Sequence, residues 1–257
     1  MPQLTVFTYL LVCPLLFLAG LVDSVAGGGG LISLPAYLLA GLPPHAATAT
    51  NKCSSTFGTL LSTVRYLRRG HLHRRSAALS VACALAGSWL GARLNLWLPE
   101  RYLYYFLLAA LPVIVLLLLF KRDLGTEDRT GRCSPAALLL RVGLIALVIG
   151  CYDGFFGPGT GTLLMLALTG LCGFDLLTAA GNTKLINLTS NLAAFTAFAF
   201  SGNILWALGI PAALCNIAGN YVGSALALKS GAKVIRPMFL VVLTLLLGTV
   251  VYDLGWK

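Results

Sequence analysis

Asp23-Ser24-Val25-Ala26-Gly27-Gly28-Gly29-Gly30 places four consecutive glycines inside a long apolar run. A second interruption, Asp153-Gly154-Phe155-Phe156-Gly157-Pro158-Gly159-Thr160-Gly161, lies in a similar setting. In a helix interior Gly costs about 1 kcal/mol and Pro about 3 kcal/mol relative to Ala. Two such stretches in otherwise helix-forming apolar sequence therefore read as paired helix breaks, and the rest of the chain can be placed around them.

The chain has 257 residues, of which 58% are apolar and only 10% charged, with a mean hydropathy of +0.88. That is too little polar surface to coat a soluble globule, so the composition specifies an all-α polytopic membrane protein. The apolar runs leave no room for a soluble domain of ordinary size. Met1 to Ala26 lacks the basic n-region of a signal peptide and is expected to be a retained first helix. The net charge of +10 is concentrated at helix ends, with no basic stripe interleaved with aromatics, so nucleic acid is not an expected partner. The seven cysteines stand singly, without metal-ligand spacing, and read as small core residues. Neither a metal site nor a cofactor is expected.

Apolar segments are expected at about Leu4 to Ala26, Leu31 to Leu42, His45 to Leu67, Ala77 to Leu98 and Tyr102 to Phe120. A second set is expected at Ala136 to Phe156, Thr162 to Leu171, Asp175 to Phe200, Ile204 to Leu228 and Val234 to Leu254. In each set the second segment is too short for a span of about 20 residues. The sets align: Asp153 and Gly157 lie 130 residues after Asp23 and Gly27, and Lys184, Gly202, Gly219 and Gly223 lie 132 after Lys52, Gly70, Gly87 and Gly91. The reading is two repeats of about five helical segments, residues 1–120 and 136–257, joined by a polar linker at 121–135, with helix breaks at Gly27–Gly30 and Gly157–Gly161.

Charge sets the orientation. Arg65, Arg68, Arg69, Arg74 and Arg75 surround Gly70, whereas the corresponding Ser201-Gly202-Asn203 is uncharged. By the positive-inside rule the Gly70 loop and the 121–135 linker are cytoplasmic, the repeats are inverted, and both termini are extracytoplasmic. Five crossings per repeat, or three with a re-entrant pair, both satisfy that path. Gly87 and Gly91, like Gly219 and Gly223, are spaced to let helices approach closely and read as scaffold.

Polar residues within the spans cluster after the short segments. Lys184, Asn187 and Asn191 share a helix face at i, i+3 and i+7, and Lys52, Ser55 and Thr59 repeat it. Ionisable residues inside a span are costly and mark function. Broken helices expose backbone N–H groups, and helix N-termini attract anions. Gly28, Gly29, Gly30, Gly159, Thr160 and Gly161, together with Asn51, Lys52, Ser55, Thr59, Asn182, Lys184, Asn187 and Asn191, are therefore the candidate residues for binding a small anionic substrate. Asp23 and Asp153 are placed to cap the breaks, balance the lysines or carry a coupling proton.

Enzyme motifs fail on context. Gly157 to Gly161 lacks the strand and lysine spacing of a nucleotide loop, and neither GxSxG nor HExxH occurs. His45, His71 and His73 fall at helix ends or in the basic loop, where surface roles suit them.

The runs DSVAGGGGLI (Asp23 to Ile32), ATNK (Ala49 to Lys52), YDGFFGP (Tyr152 to Pro158), KLINLTSN (Lys184 to Asn191) and KVIRP (Lys233 to Pro237) resemble the TauE/SafE family of membrane permeases, also called sulfonate uptake permeases, and in particular its YfcA-like branch. The similarity covers essentially the whole chain in order. It implies movement of sulfite or an organic sulfonate across the bacterial inner membrane by a secondary transporter. An anion channel and a non-transporting assembly factor are the alternatives. The bilayer and a small anion are the expected partners, with self-association into a homo-oligomer left open.

Overall fold

A computed structural model describes residues 4–103, 128–231, 233–235 and 237–238. Eight helices organise them: α1 (Val6–Ala26), α2 (Gly30–Leu39), α3 (Pro44–Arg68), α4 (Arg74–Trp97), α5 (Pro135–Phe155), α6 (Thr160–Cys172), α7 (Leu176–Ser201) and α8 (Trp206–Ser230). No strand occurs among the described residues. The expected segments Tyr102 to Phe120 and Val234 to Leu254 lie mostly outside the described residues, as do positions 121–127 of the linker. Its described part contains a 3-10 turn at Thr130–Arg132.

Local chemistry sets most helix ends. Thr5 and Thr8 form a reciprocal capping box on α1. Ser134 caps α5 ahead of Pro135, and one Asp175 carboxylate oxygen accepts from the Leu177 and Thr178 N–H groups at 3.0 and 3.1 Å. α1, α4 and α5 combine the length and hydropathy of a bilayer span. The buried lysines lie on α3 and α7, accompanied there by buried Asn, Ser and Thr residues, and α8 buries Asn216, Asn220 and Ser224.

The two short helices, with 10 and 13 residues, are about 15 and 20 Å long against a hydrocarbon core of about 30 Å. Each turns back along the long helix before it. Gly29 sits against Ala19 and Asp23, with a Cβ built there only 2.5 Å from the Ala19 carbonyl oxygen. Farther along, Leu34 and Tyr37 share a core with Val12 and Leu16 of α1. In the other half Leu164, Leu168 and Cys172 share a core with Leu138, Val142 and Ile145 of α5. α3 then runs beside α1 in the same sense, since Ala47 joins Val12 and Leu16 while the Tyr66 hydroxyl donates to the Ser24 carbonyl at 3.1 Å.

The two halves hold each other through small residues. A Cβ at Gly87 or Gly91 of α4 would overlap the carbonyl oxygens of Leu147 and Cys151 on α5, and one at Gly219 or Gly223 of α8 those of Phe17 and Leu21 on α1. Both glycine pairs are therefore scaffold, where backbones meet without side chains between them. Outward, Leu10, Leu90, Leu140, Val148 and Leu214 are exposed apolar residues suited to lipid. Trp97, Phe200 and Trp206 are exposed at the end where α3 begins, as an interfacial aromatic belt would be.

At the opposite end the loop after α3 docks onto the start of α7. The His73 ring lies 5.3 Å from that of Phe174, and its Nδ1 is 2.8 Å from Ser76 Oγ. Burial lowers the His73 pKa from the ordinary 6.5, Arg75 lowers it further, and Asp128 opposes them. A depressed histidine pKa means that the unfolded chain binds the proton better. The contribution of His73 to stability is thus present above pH 6.5 and lost as pH falls below it. Melting curves in detergent should drop more steeply below pH 6.5 for the parent than for His73→Phe; parallel curves would remove the effect.

Candidate functional site

The two glycine breaks meet at the centre of the molecule. A Cβ built on Gly161 would lie 2.6 Å from Gly27 Cα, and one on Gly30 3.3 Å from the Gly157 carbonyl oxygen. Gly27 (φ +75°), Gly28 (φ +89°), Gly157 (φ +93°) and Gly159 (φ +76°) occupy the left-handed region, which other residues enter only at a cost. This conformation ends α1 and α5 and lets α2 and α6 start with their N-termini directed inward.

Neither short helix has a side-chain cap. Among the described residues the N–H groups of Gly28, Gly29, Gly30 and Gly161 donate to no protein acceptor. Capping, one role considered for Asp23 and Asp153, is therefore not what these carboxylates do. Each is an ion-pair partner for the lysine of the other half. Lys52 Nζ is 2.8 Å from Asp153 Oδ1, with the side chains 2% and 3% exposed; Lys184 Nζ is 2.8 Å from Asp23 Oδ2, with 1% and 13% exposed. Lys52 also donates to Asn191 Oδ1 at 2.9 Å, and Ser190 Oγ to Asp153 Oδ2. Lys184 additionally donates to the Asp23 backbone carbonyl.

Between these groups lies a cavity of about 20 Å³, room for about one water molecule. Its walls contain Asp23, Gly28, Gly29 and Gly30 from the first break, with Asn51, Lys52, Ser55 and Thr59 from α3. From the other half come Asp153, Gly157, Thr160, Gly161, Asn187 and Asn191. The two i, i+3, i+7 stripes thus converge, except at Lys184, which pairs with Asp23 and is not itself part of the lining. Asn182 is not brought in either, since its Nδ2 donates back to the Thr178 carbonyl at 2.7 Å. Gly159 shapes the turn behind the wall.

Asn216 of α8 lines the cavity and was not singled out from sequence. Its Nδ2 donates to the Leu16 carbonyl at 3.2 Å, and its Oδ1 accepts from Asn220 at 2.9 Å. Asn216 and Asn220 are i and i+4 in a mostly apolar helix, a spacing that could have marked them. The net charge of the two lysines and two aspartates is zero. Unmatched donors remain in the wall, among them the backbone N–H groups of Gly28, Gly29, Gly30 and Gly161, which can bind an anion.

Lipid-faced helices enclosing a small polar centre built from broken helices define a membrane transporter. The chain belongs to the TauE/SafE family: the family described as sulfite exporter TauE/SafE matches residues 12–250. It is 40% identical to "Probable membrane transporter protein ORF9" of Sinorhizobium sp over 88% of this chain and 85% of the relative. It is 38% identical to a "Probable membrane transporter protein" of Haemophilus influenzae over 93% of each. Its identity to "Probable membrane transporter protein YfcA" of Escherichia coli K12 is 37%, over 92% and 87%. No solved structure matches. The protein is a multi-pass membrane transporter and not an enzyme.

Proposed function

We propose that the chain is an inverted-repeat secondary transporter for a small oxyanion, sulfite or an organic sulfonate, working by alternating access around the central cavity. The repeats are residues 1–120 and 136–257 joined through 121–135, with α2 and α6 re-entrant. The Gly70 loop and linker face the cytoplasm and both termini the other side. The long, short, long, long order of helices in each half and the reciprocal Lys–Asp pairs support the duplication. The Arg-rich loop docked on the start of α7 supports the orientation.

The observation carrying the anion reading is the group of acceptor-free N–H donors at Gly28, Gly29, Gly30 and Gly161 beside a buried ammonium. An entering oxyanion takes those donors and competes with Asp153 for Lys52, while Asn51, Ser55, Thr59, Thr160, Asn187 and Asn191 hydrogen-bond its remaining oxygens. Lys184 and Asn182 act from behind, holding Asp23 and α7 in place. Asp153, once displaced, is the group available to take a coupling proton. The closed cavity suits alternating access better than an open anion channel.

Proteoliposomes containing the full chain should take up radiolabelled sulfite saturably, with organic sulfonates competing and acetate doing so weakly. Unsaturable conductance would point to a channel, and absence of flux for every sulfur oxyanion would refute the substrate class.

A further inference from the structure

A second cavity, of about 510 Å³, opens between the C-terminal ends of α3 and α8. Arg65, Arg68, Arg69 and Lys229 line it with Ala225 and Leu228, and no acidic residue contributes. The ion pairs among the described residues are the two central ones, so these four cations have no carboxylate partner there. Arg65 is held in place, its guanidinium 4.5 Å above the Tyr221 ring and donating to the Tyr221 carbonyl. Basic residues at a helix C-terminus complement the dipole, and cytoplasmic loops collect them. Those rules account for the charges but not for a cavity with an apolar wall enclosed by them.

The cavity is separate from the central one. The two share no lining residue, and Arg68, nine residues beyond Thr59, lies about two and a half turns on, on the opposite side of α3. α3 and α8 are in close contact higher up, where a Cβ on Gly58 would overlap Asn216. Beyond that contact Tyr221, Leu226, Leu60 and Leu67 present exposed apolar surface beside the basic end. Clustered cations next to a lipid-facing apolar surface complement a ligand with an anionic head and hydrocarbon tails.

We propose that this end of the α3–α8 interface binds the phosphodiester headgroup of an anionic phospholipid, with Arg65, Arg68, Arg69 and Lys229 as its partners and the acyl chains along Leu60 and Leu226. Assignment to the cytoplasmic leaflet rests on the orientation proposed above; the ligand chemistry does not.

The test is native mass spectrometry of the delipidated full chain titrated with phosphatidylglycerol, phosphatidylcholine or inorganic phosphate. Phosphatidylglycerol should bind at least about tenfold tighter than phosphatidylcholine and resist millimolar phosphate. Arg68→Gln/Lys229→Gln should lose about tenfold, whereas Arg74→Gln/Arg75→Gln, removing equal charge outside the cavity, should retain binding. Ala225→Trp fills the cavity with every charge intact and should also weaken binding, which keeps the proposal testable should the charge variant misfold. Equal loss in both double variants would overturn the site in favour of general surface charge. Full binding by Ala225→Trp, or displacement by free phosphate, would overturn the lipid headgroup as its ligand.

Discussion

Lys52→Met is expected to abolish sulfite flux and to destabilise the protein by about 3–5 kcal/mol, the usual cost of stranding one member of a buried ion pair. Asp153 would remain 3% exposed with its ammonium partner gone, and a single Ser190 hydroxyl could not replace that charge. The double variant Lys52→Met/Asp153→Leu removes both charges and should recover most of the stability, because matched apolar groups avoid the desolvation penalty. It should not recover transport, since the ammonium facing the cavity is absent. Lys184→Met should cost less stability than Lys52→Met, as Asp23 is 13% exposed and can be hydrated. Thermal unfolding in detergent, read beside flux in proteoliposomes, separates the two effects. A Lys52→Met protein that melts like the parent and still transports would eliminate both the structural and the functional role.

Gly27→Ala should be strongly damaging, because it combines a positive φ with a backbone clash between the two breaks. Its φ of +75° with ψ 177° lies in a region essentially reserved for glycine and costs an L-residue about 1–3 kcal/mol. The new Cβ would also fall 2.5 Å from the Thr162 nitrogen and overlap the Gly161 carbonyl carbon. Backbone cannot rotate aside as a side chain can, so overpacking adds about 1–3 kcal/mol and pushes the two breaks apart. Transport should fail even where folded protein is recovered. Gly202→Ala is the control: its φ is +74°, but no atom lies within 4 Å of the added Cβ, leaving only the backbone cost of about 1 kcal/mol. Comparable melting temperatures for the two variants would show that the break-to-break contact carries no special weight.

Local pattern made much of this protein legible. Glycine and proline within apolar sequence marked the breaks, span length identified α2 and α6 as too short to cross, and i, i+3, i+7 spacing placed Lys52, Ser55 and Thr59 on one face and Lys184, Asn187 and Asn191 on another. Helix ends expected at Ala26, Leu67 and Leu98 fall at Ala26, Arg68 and Trp97. These features depend on backbone geometry within a few residues, which the side chains themselves dictate.

Tertiary structure decided the pairings. Nothing local determines whether Lys52 meets Asp23 or Asp153, because the choice depends on how the halves dock. Packing of α4 on α5 and α1 on α8 brings each lysine to the aspartate of the other half. The same docking carries Asn216 into the cavity wall and leaves Lys184 out of it. It also turns the short helices back along α1 and α5, which apolar periodicity cannot distinguish from continuing outward, since either path buries the same residues against some neighbour. The sequence by itself therefore determined the breaks, the stripes and the membrane setting through short-range steric and hydrophobic rules. Only the folded chain determined that the lysines are neutralised and that backbone N–H groups are left among the unmatched donors of the site, because contact between residues 101 and 161 positions apart is a property of packing.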